Sequence, residues 1–325
     1  MAEIDLLGAM TLADLAAMET ASGNFRKIAE VLNNKVQLFE NMLFVESNGP
    51  TYHEFSRRTY LPTGSWGRIN KGTPVEASHV AVWREEIGQL ISWSEIDERL
   101  LKKYKNQSMA RTSMDIGFVT GLGMSFAEAF IYETLAEEPD AFPGIRARFN
   151  ATTLGNVHDG GAAAGDDATS IYIIYWNEQD GVYVSYPPDG EPGGVRMDPR
   201  PKETKETTDG LYDVYRTKFT ADGGLCIADD DACQVIVNVD LDDTDASSNV
   251  LYDVLVDAIV GLPSQNNAVI YMHRKALALL RKLASDKTNV TFDPNTPFGK
   301  GFHADIDGMP IKIIDEISIA ESIVS

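Results

Sequence analysis

The sequence predicts an α+β chain. Three observations carry that reading. Residues 107–136 place Met114, Phe118, Leu122, Phe126 and Phe130 at i, i+4 spacing, with Val119, Ala127, Ile131 and Leu135 in a second row beside them. In a helix this makes one broad apolar stripe. Residues 74–83 (PVEASHVAVW) alternate, with Val75, Ala77, His79, Ala81 and Trp83 on one face, which is the period of a strand. From residue 142 onward Gly and Pro rise, and Asp-Gly pairs begin at Asp159, Asp180, Asp189, Asp209, Asp222 and Asp307. Both positions of Asp-Gly tolerate positive φ, so the pairs mark tight turns between strands.

Taken in order, residues 1–44 read as an arm. Thr11 and Asp14 open a short helix, and Asn24 opens a second with Ile28, Val31, Leu32, Leu38, Phe39 and Met42 on its apolar face, interrupted by Lys35. Ser/Thr/Asn side chains satisfy free amides at a helix start, and an early acid suits its positive end. Residues 52–60 (YHEFSRRTY) mix aromatics and arginines in a strand-like way, and 61–64 (LPTG) and 70–73 (NKGT) are turn chemistry. Residues 65–69 (SWGRI) hold too few apolar side chains for a core. A hairpin so poor in core must pack on another body, and a second copy of the chain fits that need.

A short polar helix is expected near 97–105, and then the long helix over 107–136, extending about 45 Å. Gly117, Gly121 and Gly123 lie within it, each costing roughly 1 kcal/mol relative to Ala. They mark either a close approach of another backbone or a point of bending. The second half is largely β, with strands expected over 171–176, 182–186, 211–219, 225–228 and 234–239, and loops over 150–167 and 187–208. An amphipathic helix over 249–262, capped by Asp245, Ser247 or Ser248, precedes a strand at 268–271, a basic helix over 274–285 and a closing strand at 308–314.

Composition narrows the function. The 325 residues carry a formal charge of −21, which repels nucleic acid and anionic membranes. Cys226 and Cys233 match no zinc spacing and read as reduced, partly buried thiols. Ten Asp and no Lys or Arg fall between Phe219 and His273. The carboxylates of 229–245 fit no calcium loop and read as a solvated face or helix caps. The five histidines (His53, His79, His158, His273 and His303) sit in dissimilar contexts, His79 reading as a packed side chain. Trp66, Trp83, Trp93 and Trp176 read as packing residues. There is no nucleophile elbow, P-loop or dinucleotide fingerprint, so no catalytic, metal or cofactor residue is assigned. No signal peptide is expected, nor a run of eighteen apolar residues to span a membrane.

A basic hairpin containing LPTGSWGRINKG, a strand and a long helix resemble the major capsid proteins of tailed bacteriophages, in particular podoviruses of the epsilon-fifteen type, which share the Hong Kong ninety-seven (Johnson) fold. SIYIIYW at 170–176, YPPDGEPGG at 186–194, GLCIA at 224–228, VIVNVD at 235–240, AVIYMHR at 268–274 and GMPIKII at 308–314 follow in the family's order. The resemblance implies an N-terminal arm over 1–50, an extended loop over 51–85 and a peripheral domain over 86–150 with its spine helix at 107–136. It further implies a β-rich segment over 151–240 that completes the peripheral domain, and an axial domain over 241–325. Arg57, Arg58, Trp66, Arg68 and Lys71 would then contact a neighbouring subunit, and Gly117, Gly121 and Gly123 would be the bend of the spine helix. The acidic stretch before the axial domain and the basic helix within it would meet across neighbours.

The implied function is a virion shell of pentamers and hexamers enclosing double-stranded DNA without sequence-specific binding, assembled in the bacterial cytoplasm. The short arm leaves little room for a built-in scaffold, so a separate scaffolding protein, a portal and a decoration protein are the expected partners. No membrane is involved. An encapsulin-type nanocompartment shell, or an acidic metal-assisted hydrolase resting on 229–245, are the alternatives.

Overall fold

The structure, a computed structural model, describes residues 36–103, 107–162, 168–188, 194–207, 210–241, 250–285, 305–306 and 308–325. The two arm helices, save the last turn of the second, lie outside the described residues, as do Asp242, Asp243 and the caps expected at 245–248. Among the described residues, two six-stranded sheets and a two-stranded hairpin make up the β structure.

The first sheet has the order β1 (Phe44–Glu46), β7 (Val182–Tyr186), β10 (Gly210–Ile227), β4 (Gly88–Asp97), with β8 (Gly194–Pro199) and β9 (Glu203–Thr207) also paired to β10. The second has the order β13 (Asp305–Ile306), β14 (Met309–Ile313), β12 (Ala268–Met272), β6 (Ala168–Tyr175), β11 (Cys233–Asp240), β5 (Val157–Asp159). Its central strands are buried on both faces, β6 and β12 at every position, as near-continuous apolar runs require. Residues 151–240 therefore feed both sheets, β5, β6 and β11 entering the second and β7 to β10 the first.

Several expectations shift. Asp222-Gly223 was expected to be a turn between two strands, yet β10 runs straight through it. A Cβ on Gly223 would stand 2.6 Å from the Phe126 ring, so this glycine admits an aromatic rather than a turn. Asp222 is buried, accepts from Gln89 Nε2 at 2.7 Å and pairs with Arg196. Residues 187–208, expected to be loop, contribute β8 and β9 to the sheet. Strand β9 is tied to its neighbours by charge: Lys205 Nζ reaches Glu95 at 2.6 Å and Arg216 reaches Glu203 at 3.0 Å.

The long helix runs Gln107–Tyr132, four residues shorter than expected. Thr134 opens a new turn, its carbonyl accepting from Glu137 N and Glu138 N at 3.1 and 3.0 Å, while Gly144 N takes the Glu133 carbonyl. Within the helix Val119, Leu122, Phe126, Phe130 and Ile131 are buried in the main core, and Met114 joins Ile96 and Leu101 in a smaller one. The stretch Ala110–Tyr132 is long and apolar enough to cross a membrane, with mean hydropathy 1.3. Its stripe is instead covered by the sheets, and the helix carries Arg111, Asp115 and Glu128. At the end of the chain, Val324 N donates to Asn238 Oδ1 at 2.9 Å and Glu321 accepts from Ser170 and Tyr132 hydroxyls at 2.5 Å, fastening the tail to the second sheet and to the long helix.

Candidate assembly surfaces

The hairpin pairs β2 (Tyr52–Tyr60) with β3 (His79–Glu86), from Tyr52 opposite Glu86 to Tyr60 opposite His79. Residues 74–78, expected to be strand, are unpaired: Pro74 lacks an N–H and the register closes at His79. Residues 61–78 form a tip that is exposed throughout. Its turn is made by Asn70 at φ 63°, with Lys71 N bonded to the Arg68 carbonyl at 3.2 Å. Asn tolerates this left-handed backbone because its short polar side chain bonds locally.

The root is clamped to the body. Arg57 donates to the Ile227 carbonyl and to Asp230 at 2.9 Å, and its guanidinium lies 4.8 Å from the Trp83 ring centroid. On the other strand, Glu85 accepts two bonds from Arg148 at 2.6 and 2.7 Å, and Arg148 also donates to the Leu225 and Pro143 carbonyls. His53 stacks on Phe55 and meets the Tyr183 ring edge to face, and its burial pulls the imidazole below its ordinary pKa, against the field of Glu178. Asn48 clips the backbone of Glu54 on both sides, at 2.6 and 2.8 Å.

Of the residues expected to reach a neighbour, Arg57 is thus bound within its own chain, to partners about 170 positions away that local sequence does not indicate. Arg58 bonds Ser78 Oγ at 3.1 Å. Trp66, Arg68 and Lys71 are exposed at the tip, where Trp66, Ile69 and Val75 are 102%, 94% and 98% accessible. His79 is exposed beside Tyr60 rather than packed, because this part of the hairpin has left the body. Trp176 is buried, while Trp83 and Trp93 lie half-exposed under Arg57 and Arg200.

Gly117 and Gly121 are exposed, and a methyl group at either would meet nothing in the chain. They floor a groove of about 520 Å³ between the long helix and β4, lined also by Leu90, Ile91, Met114, Phe118 and Leu122. Gly123 is buried. Close packing within the subunit therefore does not account for Gly117 and Gly121.

Among the described residues no three His, Cys, Asp or Glu side chains converge on a metal position. Asp229 caps the turn Asp230–Ala232 through Asp231 N, and Asp230 holds Arg57. Burial pushes the Cys226 thiol up to about 12 and raises that of Cys233 further, so both buried cysteines stay protonated.

The family model of the major capsid protein GP7 matches residues 20–325. The chain belongs to that family. It is a phage capsid shell protein, a structural and non-enzymatic component of the virion. Its fold is the Johnson fold: the capsid protein of bacteriophage Epsilon15 is similar, with 23% identity and a TM-score of 0.71 over 100% of this chain and 99% of that one. Weaker likenesses extend to Mycobacterium phage Adephagia, with 10% identity, a TM-score of 0.42 and coverage of 71% of this chain and 98% of that one. The SrpI encapsulin from Synechococcus elongatus gives 11%, 0.42, and 71% and 97%. No curated protein matches by sequence.

Proposed function

We propose that this capsid protein assembles as pentamers and hexamers into an icosahedral shell around double-stranded DNA, with the hairpin as the bridge between copies. The observation that carries the bridge is the tip. Three large apolar side chains stand fully accessible on it, and apolar surface displayed in this way on a soluble chain marks an interaction site. Arg68 and Lys71 share the tip with them and Arg58 lies on the strand that leads into it, with Glu76 the one carboxylate of 58–78. On a chain of net charge −21 the surface such a tip meets on another copy is acidic. Arg57 serves the root instead.

In the same reading, residues 1–50 are the arm, 51–85 the extended loop, 86–150 the peripheral domain, 151–240 the segment between domains and 241–325 the axial domain. Gly117, Gly121 and Gly123 are where the spine helix bends; the open space over the first two supports bending against internal packing. A separate scaffolding protein, a portal and a decoration protein complete the assembly in the host cytoplasm. The acidic balance of the chain supports enclosure of DNA without sequence-specific contact.

The test is Arg68→Glu with Lys71→Glu. Exposed pairs contribute only about 0.2–1 kcal/mol each, but they repeat over every copy. Folded subunits that no longer close shells are the expected outcome, read by sedimentation. Shell formation like that of the parent would remove the electrostatic bridge.

A further inference from the structure

The hairpin meets the body through one face. In the register of β2 and β3, His53 lies opposite Glu85, Phe55 opposite Trp83 and Arg57 opposite Ala81. Residues paired across two strands project to the same side. This face carries both salt bridges of the root, Glu85 with Arg148 and Arg57 with Asp230. His53 shares the face with them, two residues beyond Thr51, whose carbonyl takes the Ile87 N–H at 3.0 Å and closes the base of the loop. The His53 ring centroid is 6.2 Å from that of Phe55 and 5.6 Å from that of Tyr183, whose plane it meets at 89°. Its Nδ1 is buried and has no hydrogen-bond partner among the described residues.

A neutral imidazole suits this place and an imidazolium does not. Both nitrogens of the cation are donors, and a buried donor without an acceptor is costly. The charged and titratable groups around the His53 and Tyr183 rings come from four elements. Glu178, in the turn between β6 and β7, is the carboxylate whose field favours the cation, and the loss of water on burial outweighs it. Glu85 on β3 is already engaged by two bonds from Arg148. Arg57 on β2 is itself a cation, and its Nε is buried without a partner. On β7 and β10, burial raises the Tyr183 hydroxyl and the Cys226 thiol, so both stay neutral.

We propose that His53 is an acid-sensitive latch on the hairpin: the neutral ring closes the root on Tyr183, and protonation in mild acid opens it. The imidazolium regains water only by leaving Tyr183, which lifts β2 from β7. A histidine that titrates lower in the closed root than in the open one adds stability above about pH 6.5. That stability is lost as pH falls from there through the closed-state value. The part the hairpin plays between copies rests on the shell reading; under it, the latch sets the acidity at which the bridge comes loose from its own subunit.

Amide hydrogen exchange of unassembled subunits at about pH 7.5 and about pH 5, corrected for the intrinsic rate at each pH, tests the latch. In the parent, protection of residues 52–56 and 83–86 should fall roughly tenfold in acid relative to β6 and β12, the ratio that one pKa unit between open and closed states gives. His53→Phe keeps a flat ring and takes no proton, so its root should stay equally protected at both pH values. Every other titrating group is common to the two proteins and cancels in the comparison. Equal loss in parent and variant, or no loss in the parent, would overturn the latch. If His53→Phe fails to fold, an NMR titration of the parent's His53 ring decides. A midpoint below about 6.5 that coincides with the loss of protection is expected, and one at or above it refutes the latch. Because the exchange is read on unassembled subunits, its failure leaves the shell reading standing, whereas a chain that closes no shells loses the bridge and keeps the latch.

Discussion

Arg148→Ala tests the clamp that holds the hairpin to the body. Glu85 and Arg148 side chains are 11% and 19% exposed and joined by two short bonds. Removing the guanidinium leaves the carboxylate without its cation and two backbone carbonyls without that donor. Breaking a buried pair costs about 3–5 kcal/mol, and residual solvent access here reduces this to about 2–4 kcal/mol. With roughly 2 °C per kcal/mol for a chain of this size, unassembled subunits should melt about 4–8 °C lower. Amide hydrogen exchange should accelerate most in β2 and β3, the two strands anchored by Arg57 and Glu85. Glu85→Gln with Arg148→Met should recover much of the loss, since no charge is then stranded. A melting shift under about 1 °C, or additive effects of Glu85→Ala and Arg148→Ala in the double variant, would show that the pair does not act as a clamp.

Gly117→Ala with Gly121→Ala should stabilise the subunit by about 1 kcal/mol per site, because the new methyls meet open space, and should hinder any reshaping of the shell; a lower urea midpoint would refute this. Burial raises the Asp115 carboxyl pKa, against hydrogen bonding from Thr217 and the Arg111 charge. A folded pKa above the unfolded one gives stability that is complete below about 3.9 and lost as pH rises through the folded value. Asp115→Asn should therefore stabilise at pH 7 and lose that advantage toward pH 3, and urea midpoints that track the parent's across this range would contradict the sign. Gly223→Ala should lower the melting temperature, because its Cβ would press on Phe126; an unchanged midpoint would show that the ring has room to move.

Much of this architecture is legible locally. The tip turn follows from Asn70, the long helix from its i, i+4 aromatics, and β6, β7, β11 and β12 from runs of β-branched and aromatic residues. What escapes the sequence depends on partners far along the chain. Arg57 looks like a free surface cation until Asp230 and Ile227 are brought to it. Gly223 looks like a turn until Phe126 occupies the space of its absent side chain. Strands β8 and β9 are polar because they lie beside β10 with charged partners, and polar strands of this kind lack the alternation by which strands are recognised. The groove over Gly117 and Gly121 likewise exists only where β4 passes the helix.

The central claim is that the hairpin tip leaves its own subunit to hold another. Electron cryo-microscopy of shells assembled from the purified chain tests it most directly. Density for residues 61–78 should lie against an adjacent copy, with Trp66 and Ile69 covered and Arg68 and Lys71 over acidic side chains. Closed shells in which the tip folds back on its own chain, or stands in solvent, would contradict the account.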